Sequence, residues 1–310
     1  MKILDYQRLS TEDGPGLRTT LFTKGCYLHC DWCHNPESIS PKIINEWVGV
    51  NCIGCLTCVD SCPKKALKMT EKGIIIDRDS CIGCGLCERV CPTGAIKMKG
   101  HDVPVQEIYQ ELIKDRAYFG SDGGITISGG EVMMQVDQVI ELLKLLKKDE
   151  INVAIDTCGM AKLEDFQRIL PYADIFLFDL KLIDPIEHKK HTGSTNKMIL
   201  NNFNYLEKEC EKERKELWIR TPIIPGATDS IINIEGIAKF LQGKYYTRWE
   251  LLAFNNLCRD KYERLYIDWK YKNEKLMTKK EMDNLLNIAK SYGLKEVYWT
   301  GATRDEKEEQ

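Results

Sequence analysis

Long apolar runs are missing from this 310-residue chain. No stretch approaches the ~18–20 residues of a membrane span, and the longest candidate, VIELLKLL, reads as a piece of amphipathic helix, so no membrane partner is expected. The start, MKILDYQRLSTEDGPG, has no basic segment leading into an apolar one; a secretory signal is therefore not expected, and a cytoplasmic location is. An excess of positive charge is missing too. Lys and Arg number 44 against 47 Asp and Glu, a formal net charge of −3, which gives no reason to expect a nucleic-acid partner. With 43% hydrophobic and 29% charged residues, the composition is that of a globular protein able to bury a core. The length suggests about two domains.

Cysteine is abundant. There are fourteen, and eleven of them fall between residues 26 and 91 in tight spacings. A disulfide framework suits a short secreted chain, and neither description fits. Structural zinc takes four ligands per ion, often with histidine among them. Metal clusters are the expectation. Cys158, Cys210 and Cys258 stand alone in the sequence and read as buried or tolerated thiols.

Residues 52–63 read CIGCLTCVDSCP and residues 81–92 read CIGCGLCERVCP. Both follow C-x2-C-x2-C-x3-C-P, the bacterial ferredoxin run, in which the fourth cysteine serves the other cluster. The crossing assigns Cys52, Cys55, Cys58 and Cys91 to one [4Fe-4S] cluster, and Cys62, Cys81, Cys84 and Cys87 to a second. The repeat spacing is 29 residues. Between the runs GIIIDRDS reads as a strand and turn, and each run is followed by a short A-(L/I)-K-M segment, which suggests a pseudo-twofold module. Residues 43–100 are thus expected to form a ferredoxin-like insert. Its clusters would staple a small core and pass electrons.

Outside the insert, over 1–42 and 101–310, apolar runs alternate with amphipathic helical stretches. The strand candidates are 17–23, 124–128, 151–156, 174–180, 217–223 and 249–254, with KEVYWT (295–300) as a last short strand. Such alternation implies an α/β fold with parallel strands and right-handed crossovers. Six βα units fall short of the eight of a TIM barrel, so an incomplete (βα)6 TIM-like barrel with an open side is expected. The polar groups fall after successive strands: GCYLHCDWCHN, GGE (129–131), Asp156-Thr157, Asp179-Leu180-Lys181, Arg220 and Asn255-Asn256. Carboxyl ends of parallel strands share one face, so these groups should converge on one cavity.

In KGCYLHCDWCHNP, Cys26, Cys30 and Cys33 are spaced C-x3-C-x2-C. A cubane has four irons, and three thiolates leave one of them open to a small chelating ligand. This loop resembles the signature of radical S-adenosylmethionine (SAM) enzymes. Together with DGPGxR (13–18), the insert, SGGE (128–131), DTxG (156–159), DLK (179–181) and WIRxPxxPG (218–226), it resembles a glycyl-radical enzyme activating enzyme over essentially the whole chain. The resemblance implies that SAM completes the open iron. It implies that reductive cleavage gives methionine and a 5′-deoxyadenosyl radical, which abstracts a hydrogen atom from a glycine of a partner glycyl-radical enzyme. By the same resemblance Trp32, Cys33 and His34 flank the adenine, and Gly129, Gly130 and Glu131 receive the methionyl amino group. Asp156, Thr157 and Asp179 would form a small cation site near the SAM carboxylate, flanked by Leu180 and Lys181. Arg220 would meet the carboxylate or ribose. A flavodoxin or ferredoxin-type reductant is implied as electron donor, and Asp13, Gly14 and Gly16 as a flexible rim where the partner backbone approaches.

Two positions depart from the family pattern. Leu251-Leu252-Ala253-Phe254-Asn255 stands where the family commonly reads L-L-P-[YF]-H, and GGEVMMQ replaces a GGEP-type sequence. An asparagine amide still donates and accepts hydrogen bonds, so Asn255 is kept as a candidate SAM contact. A radical SAM enzyme of small molecules or nucleotides is the competing reading, and a pure electron-transfer protein a third. The third leaves the open-iron triad and GGE unexplained.

Overall fold

The run Ile175-Phe176-Leu177-Phe178 is buried at every position, as a strand covered on both faces requires. In the computed structural model, which describes residues 1–305, it lies in the middle of the main sheet. Residues 306–310, the end of the expected 101–310 segment, lie outside the described residues. In chain order the strands are β1 (Lys2–Ser10), β2 (Arg18–Thr23), β3 (Ile44–Trp47), β4 (Leu67–Thr70), β5 (Gly73–Ile76), β6 (Ile96–Lys99) and β7 (His101–Asp102). They continue with β8 (Gly124–Gly129), β9 (Val153–Thr157), β10 (Ile175–Asp179), β11 (Glu216–Ile223), β12 (Arg248–Ala253) and β13 (Val297–Thr300).

The main sheet runs β13-β12-β11-β10-β9-β8-β2-β1-β7. All neighbours from β2 to β13 pair in parallel, whereas β1 pairs antiparallel with β2 and β7 antiparallel with β1. The sheet is open, since β13 and β7 are its edges. Crossover helices cover it: Val136–Lys148, for example, turns Val139, Leu142, Leu143 and Leu146 inward, an i, i+3, i+4, i+7 stripe. Each parallel strand lies within a few residues of its sequence expectation. The nine-residue β1 was not among the expected strands; its Gln7, Arg8 and Leu9 are exposed, so no alternation marks it. The short helices Pro185–Thr192 and Arg259–Arg264 were likewise not expected.

Between β2 and β7 the chain builds two two-stranded sheets, β3-β6 and β4-β5, with its own small core of Cys58, Ala66, Leu67, Ile74, Ile76, Cys87 and Ile96. The helices Thr57–Asp60 and Leu86–Arg89 repeat at the spacing of the cysteine runs. The Tyr266 hydroxyl bonds Ile74 O and Arg264 lies 3.9 Å from Glu46, tying this unit to the main body. No helix among the described residues is long and apolar enough to cross a membrane.

Candidate active site

The carboxyl ends of the parallel strands open onto one cavity of about 1530 Å³, open mouth included. Its wall contains Cys26, Cys30, Trp32, Cys33 and His34 from the loop after β2, Gly129 and Gly130 at the end of β8, and Asp156 and Thr157 on β9. Asp179 and Lys181 follow from β10, Arg220 from β11, Asn255 after β12, and Thr300 and Gly301 from β13. The structure thus brings most of the sequence candidates together, as strand ends on one face dictate.

The loop of the three cysteines is held on every side. Gly25 N donates to Ser38 O at 2.6 Å and Cys26 N to Ile39 O at 3.0 Å. Lys24, 1% exposed, donates from Nζ to Glu37 O, and burial lowers it to about 8. On one flank His29 N and Asp31 N donate to the carbonyls of Thr192 and His191 at 2.8 and 3.0 Å, and Asp31 pairs with His191 Nδ1 at 3.0 Å. On the other, the Tyr262 hydroxyl donates to Cys33 O at 2.8 Å and Trp269 Nε1 to Asp31 O at 2.9 Å. These two rings stack at 4.8 Å and 9°. Lys261 bridges Asn35 at 2.6 Å and Glu37 at 2.8 Å. Tyr262, Trp269 and Lys261 were not found from the sequence, because this aromatic segment has neither helical nor strand period; the chain's return to the loop was the missing information.

Burial pushes the Cys30 thiol up to about 12 and Cys33 up as well. Cys26 is shifted down, chiefly by a hydrogen bond with Cys158. Iron would be bound only as these thiols give up their protons. Three thiols from one loop on one cavity wall fit a site-differentiated cluster. Cys158, read from the sequence as an inert thiol, is buried on the same wall and donates to Glu131 Oε2 at 2.8 Å.

Glu131 is a correction. Its side chain is fully buried, does not line the cavity, and accepts from Thr157 Oγ1 at 2.8 Å, Cys158 N at 2.9 Å and Met133 N at 3.2 Å as well. Its carboxylate braces β8 against β9 and is not offered to a ligand. Gly129 and Gly130 are required on the other side, where β8 meets the end of β2: a Cβ at 129, where φ is +114°, would sit 2.2 Å from Thr23 N, and one at 130 would sit 2.0 Å from Gly25 O. Leu180 is also outside the cavity; it is buried and its backbone is spent on Arg220 O and Thr221 Oγ1.

Asp156 accepts from Ser128 Oγ at 2.6 Å and lies 3.5 Å from Arg220, with 20% of its side chain exposed. Burial pushes it up to about 6, against the pull of Arg220. Burial acts to lower Lys181, but Asp179 and Cys30 more than offset this and its net shift is upward; it bonds Asp179 Oδ2. Both carboxylates are therefore neutralised by cationic side chains. Asp156, Thr157 and Asp179, the expected small-cation set, line the cavity together, with Asp156 beside Arg220 and Asp179 beside Lys181. Arg220 Nε is buried without a hydrogen-bond partner among the described residues. Burial lowers the His34 ring, which meets the Asn255 backbone.

The expected flexible rim is pinned. Arg18, fully buried, bonds Thr126 Oγ1 at 2.7 Å, Ile125 O at 2.9 Å and Asn152 Oδ1 at 3.0 Å under Gly14, which is buried. Asp13 bonds Ser10 at 2.6 Å and Thr20 at 2.7 Å. Gly16, with φ +68°, abuts Gly123 so closely that a Cβ would lie 2.4 Å from its nitrogen. Glycine is needed here for the fold itself. Only Asp13 of the three reaches the cavity wall.

Two further hollows lie in the 43–100 region. One, of about 330 Å³, is lined by Cys52, Cys55, Cys58 and Cys91; the other, of about 340 Å³, by Cys62, Cys81, Cys84 and Cys87. The fourth cysteine of each run faces the other run's hollow.

The Radical SAM superfamily model matches residues 20–235. The trans-4-hydroxy-L-proline dehydratase activating enzyme of Clostridioides difficile is 39% identical over 90% of this chain and 92% of its own length. The indoleacetate decarboxylase activating enzyme of Tractidigestivibacter scatoligenes is 34% identical over 94% of this chain and 95% of its own. A radical SAM methyltransferase from Sphaerobacter thermophilus shares the fold, with a TM-score of 0.54 over 96% of this chain and 78% of that one, at 12% identity. The chain belongs to the radical SAM superfamily and, within it, to the activating enzymes of glycyl-radical enzymes.

Proposed function

We propose that Cys26, Cys30 and Cys33 hold a [4Fe-4S] cluster in the cavity at the strand ends and that SAM binds beside them. Bound together, cluster and SAM supply a one-electron cleavage to methionine and a 5′-deoxyadenosyl radical, which takes a hydrogen atom from a glycine of a partner glycyl-radical enzyme. The chain's own residues bind and orient. The N–H groups of Gly130 and Glu131 already donate to Thr23 O and Gly25 O at 3.0 and 2.7 Å, so an amino group is met by carbonyl oxygens near Gly129 and Gly130. Arg220 offers its unpartnered Nε, and Lys181 its charge, to a carboxylate. Trp32 and His34 border the same cavity as Asn255 and suit a flat base. The observation that carries this reading is the meeting of three half-buried thiols and, among the described residues, the unpartnered donor of Arg220 on one wall.

The body of the chain, 1–42 and 101–310, is read as an incomplete (βα)6 TIM-like barrel, and 43–100 as a ferredoxin-like insert holding two [4Fe-4S] clusters. The four-cysteine hollows support the crossed ligand sets. A flavodoxin or ferredoxin-type reductant would feed them. Protein reconstituted without oxygen should carry about twelve irons, four per cubane. Changing Cys26, Cys30 and Cys33 together to Ala should remove about four of them and abolish 5′-deoxyadenosine formation. Continued 5′-deoxyadenosine formation by that variant would overturn the assignment.

A further inference from the structure

The insert repeats itself every 29 residues, and its backbone treats the two cysteine sets alike. Ala66 N donates to Cys62 Sγ at 3.3 Å and its repeat mate Ala95 N to Cys91 Sγ at 3.2 Å. Cys55 and Cys84 are both exposed, and Cys58 and Cys87 both buried. The side chains around the two sets are not alike. Asn45 lines the Cys62/Cys81/Cys84/Cys87 hollow, and the residue one repeat later, Ile74, lines the other.

Asn45, 1% exposed, donates from Nδ2 to Cys87 Sγ at 3.4 Å, and its Oδ1 lies 3.7 Å from Cys81 Sγ. Arg78 fixes it, donating from Nη1 to Asn45 Oδ1 at 2.9 Å and to Asn45 O. The Arg78 guanidinium thus sits behind the Asn45 amide that touches Cys81 and Cys87, and its Nη2 is buried with no hydrogen-bond partner among the described residues. One repeat earlier Arg78 is matched by Gly49. Lys64 adds a second cation to this wall. The other set receives two hydroxyls instead: Thr57 Oγ1 donates to Cys55 at 3.4 Å, and Thr93 Oγ1 lies 3.7 Å from Cys91.

Hydrogen bonds to cluster sulfurs and nearby positive charge favour the reduced, more negative cluster and raise its potential. A full charge acts over a longer range than a neutral hydroxyl dipole. We infer that Asn45 and Arg78 make the two insert clusters unequal, so that the first electron entering the insert rests on the Cys62/Cys81/Cys84/Cys87 cluster. Asn45 and Arg78 are positioning residues. The inference rests on the insert holding two clusters.

The test is an electron paramagnetic resonance redox titration of the full-length, reconstituted protein without SAM, reduced stepwise by dithionite, with iron counted on each sample. Two insert potentials should be resolved; Cys84→Ala should remove the higher and Cys55→Ala the lower. Arg78→Met and Asn45→Ile should each lower the higher potential by about tenfold in the reduction equilibrium, ~59 mV for one electron, with iron unchanged. Arg78→Lys should restore part of the shift, and Ile74→Asn should raise the lower potential. Equal potentials in the wild type, or loss of the higher step in Cys55→Ala, would overturn the inference while about twelve irons leave the cluster reading intact. About four irons in the wild type would overturn both.

Discussion

Glu131 offers a sharp test of how the cavity wall is built. In Glu131→Ala two backbone donors, Met133 N and Cys158 N, and two side-chain donors, on Thr157 and Cys158, lose their acceptor. The hydroxyl and thiol can turn, but the backbone groups cannot, and each buried unsatisfied group costs about 1–3 kcal/mol. With the hole left by the carboxylate, the loss should be about 3–5 kcal/mol, the range seen when one partner of a buried polar network is removed. For a chain of this length that is roughly 5–8 °C in Tm. Glu131→Gln keeps the shape and one acceptor, and should cost about half as much. The assay is anaerobic calorimetry of the reconstituted protein, with SAM affinity measured beside it. If Glu131→Ala melted like the wild type yet bound SAM poorly, the carboxylate would be facing the ligand and the bracing role would be wrong.

Three further outcomes follow from the same geometry. Asp156 titrates near 6 in the fold, above the ordinary ~3.9, so the folded protein keeps a proton where the unfolded chain has lost it. The resulting penalty is present above pH ~6 and fades as the pH falls towards ~4; relative to Asp156→Asn, the wild type should gain on the order of 2 kcal/mol between pH 7.5 and 4 in urea unfolding, and a constant difference would refute this. Tyr262→Phe keeps the stack on Trp269 but removes the bond to Cys33 O; about 1 kcal/mol is at stake, and a chelator should strip four irons faster, whereas unchanged kinetics would show that the hydroxyl does not hold the loop. Asn255 accepts from Leu257 N at 3.2 Å, leaving its amide N–H groups for the cavity; Asn255→Ala should weaken SAM by ~1–2 kcal/mol by calorimetric titration and Asn255→His should not, and a neutral Ala change would put the residue outside the site.

The sequence made the parallel strands legible because Ile175–Phe178 is apolar without interruption and its counterparts carry short apolar stretches between helical ones, and it made the cavity legible because strand ends share a face. The match of both cysteine runs to the bacterial ferredoxin run, with its crossed fourth cysteine, also led to the sets that line the two insert hollows. What it hid were contacts between distant segments. Nothing local says that Tyr262 and Trp269 return to the Cys33 loop, or that Arg18 underlies Gly14. Glu131 was misjudged for the same reason: a carboxylate beside a glycine pair reads as a ligand group until Thr157 and Cys158 are seen to surround it. Nor does anything local say that the acidic residues of DT and DLK, read as a cation site, lie beside Arg220 and Lys181.

The central claim is hydrogen abstraction from a partner's glycine, and isotope transfer measures it directly. The protein would be mixed with SAM, reductant and a glycyl-radical enzyme deuterated at its glycine α-carbon, in the absence of oxygen. The account predicts a doublet electron paramagnetic resonance signal on the partner and deuterium in the 5′-deoxyadenosine formed. SAM cleavage with every glycyl-radical enzyme tried, but with neither a partner radical nor deuterium transfer, would contradict it.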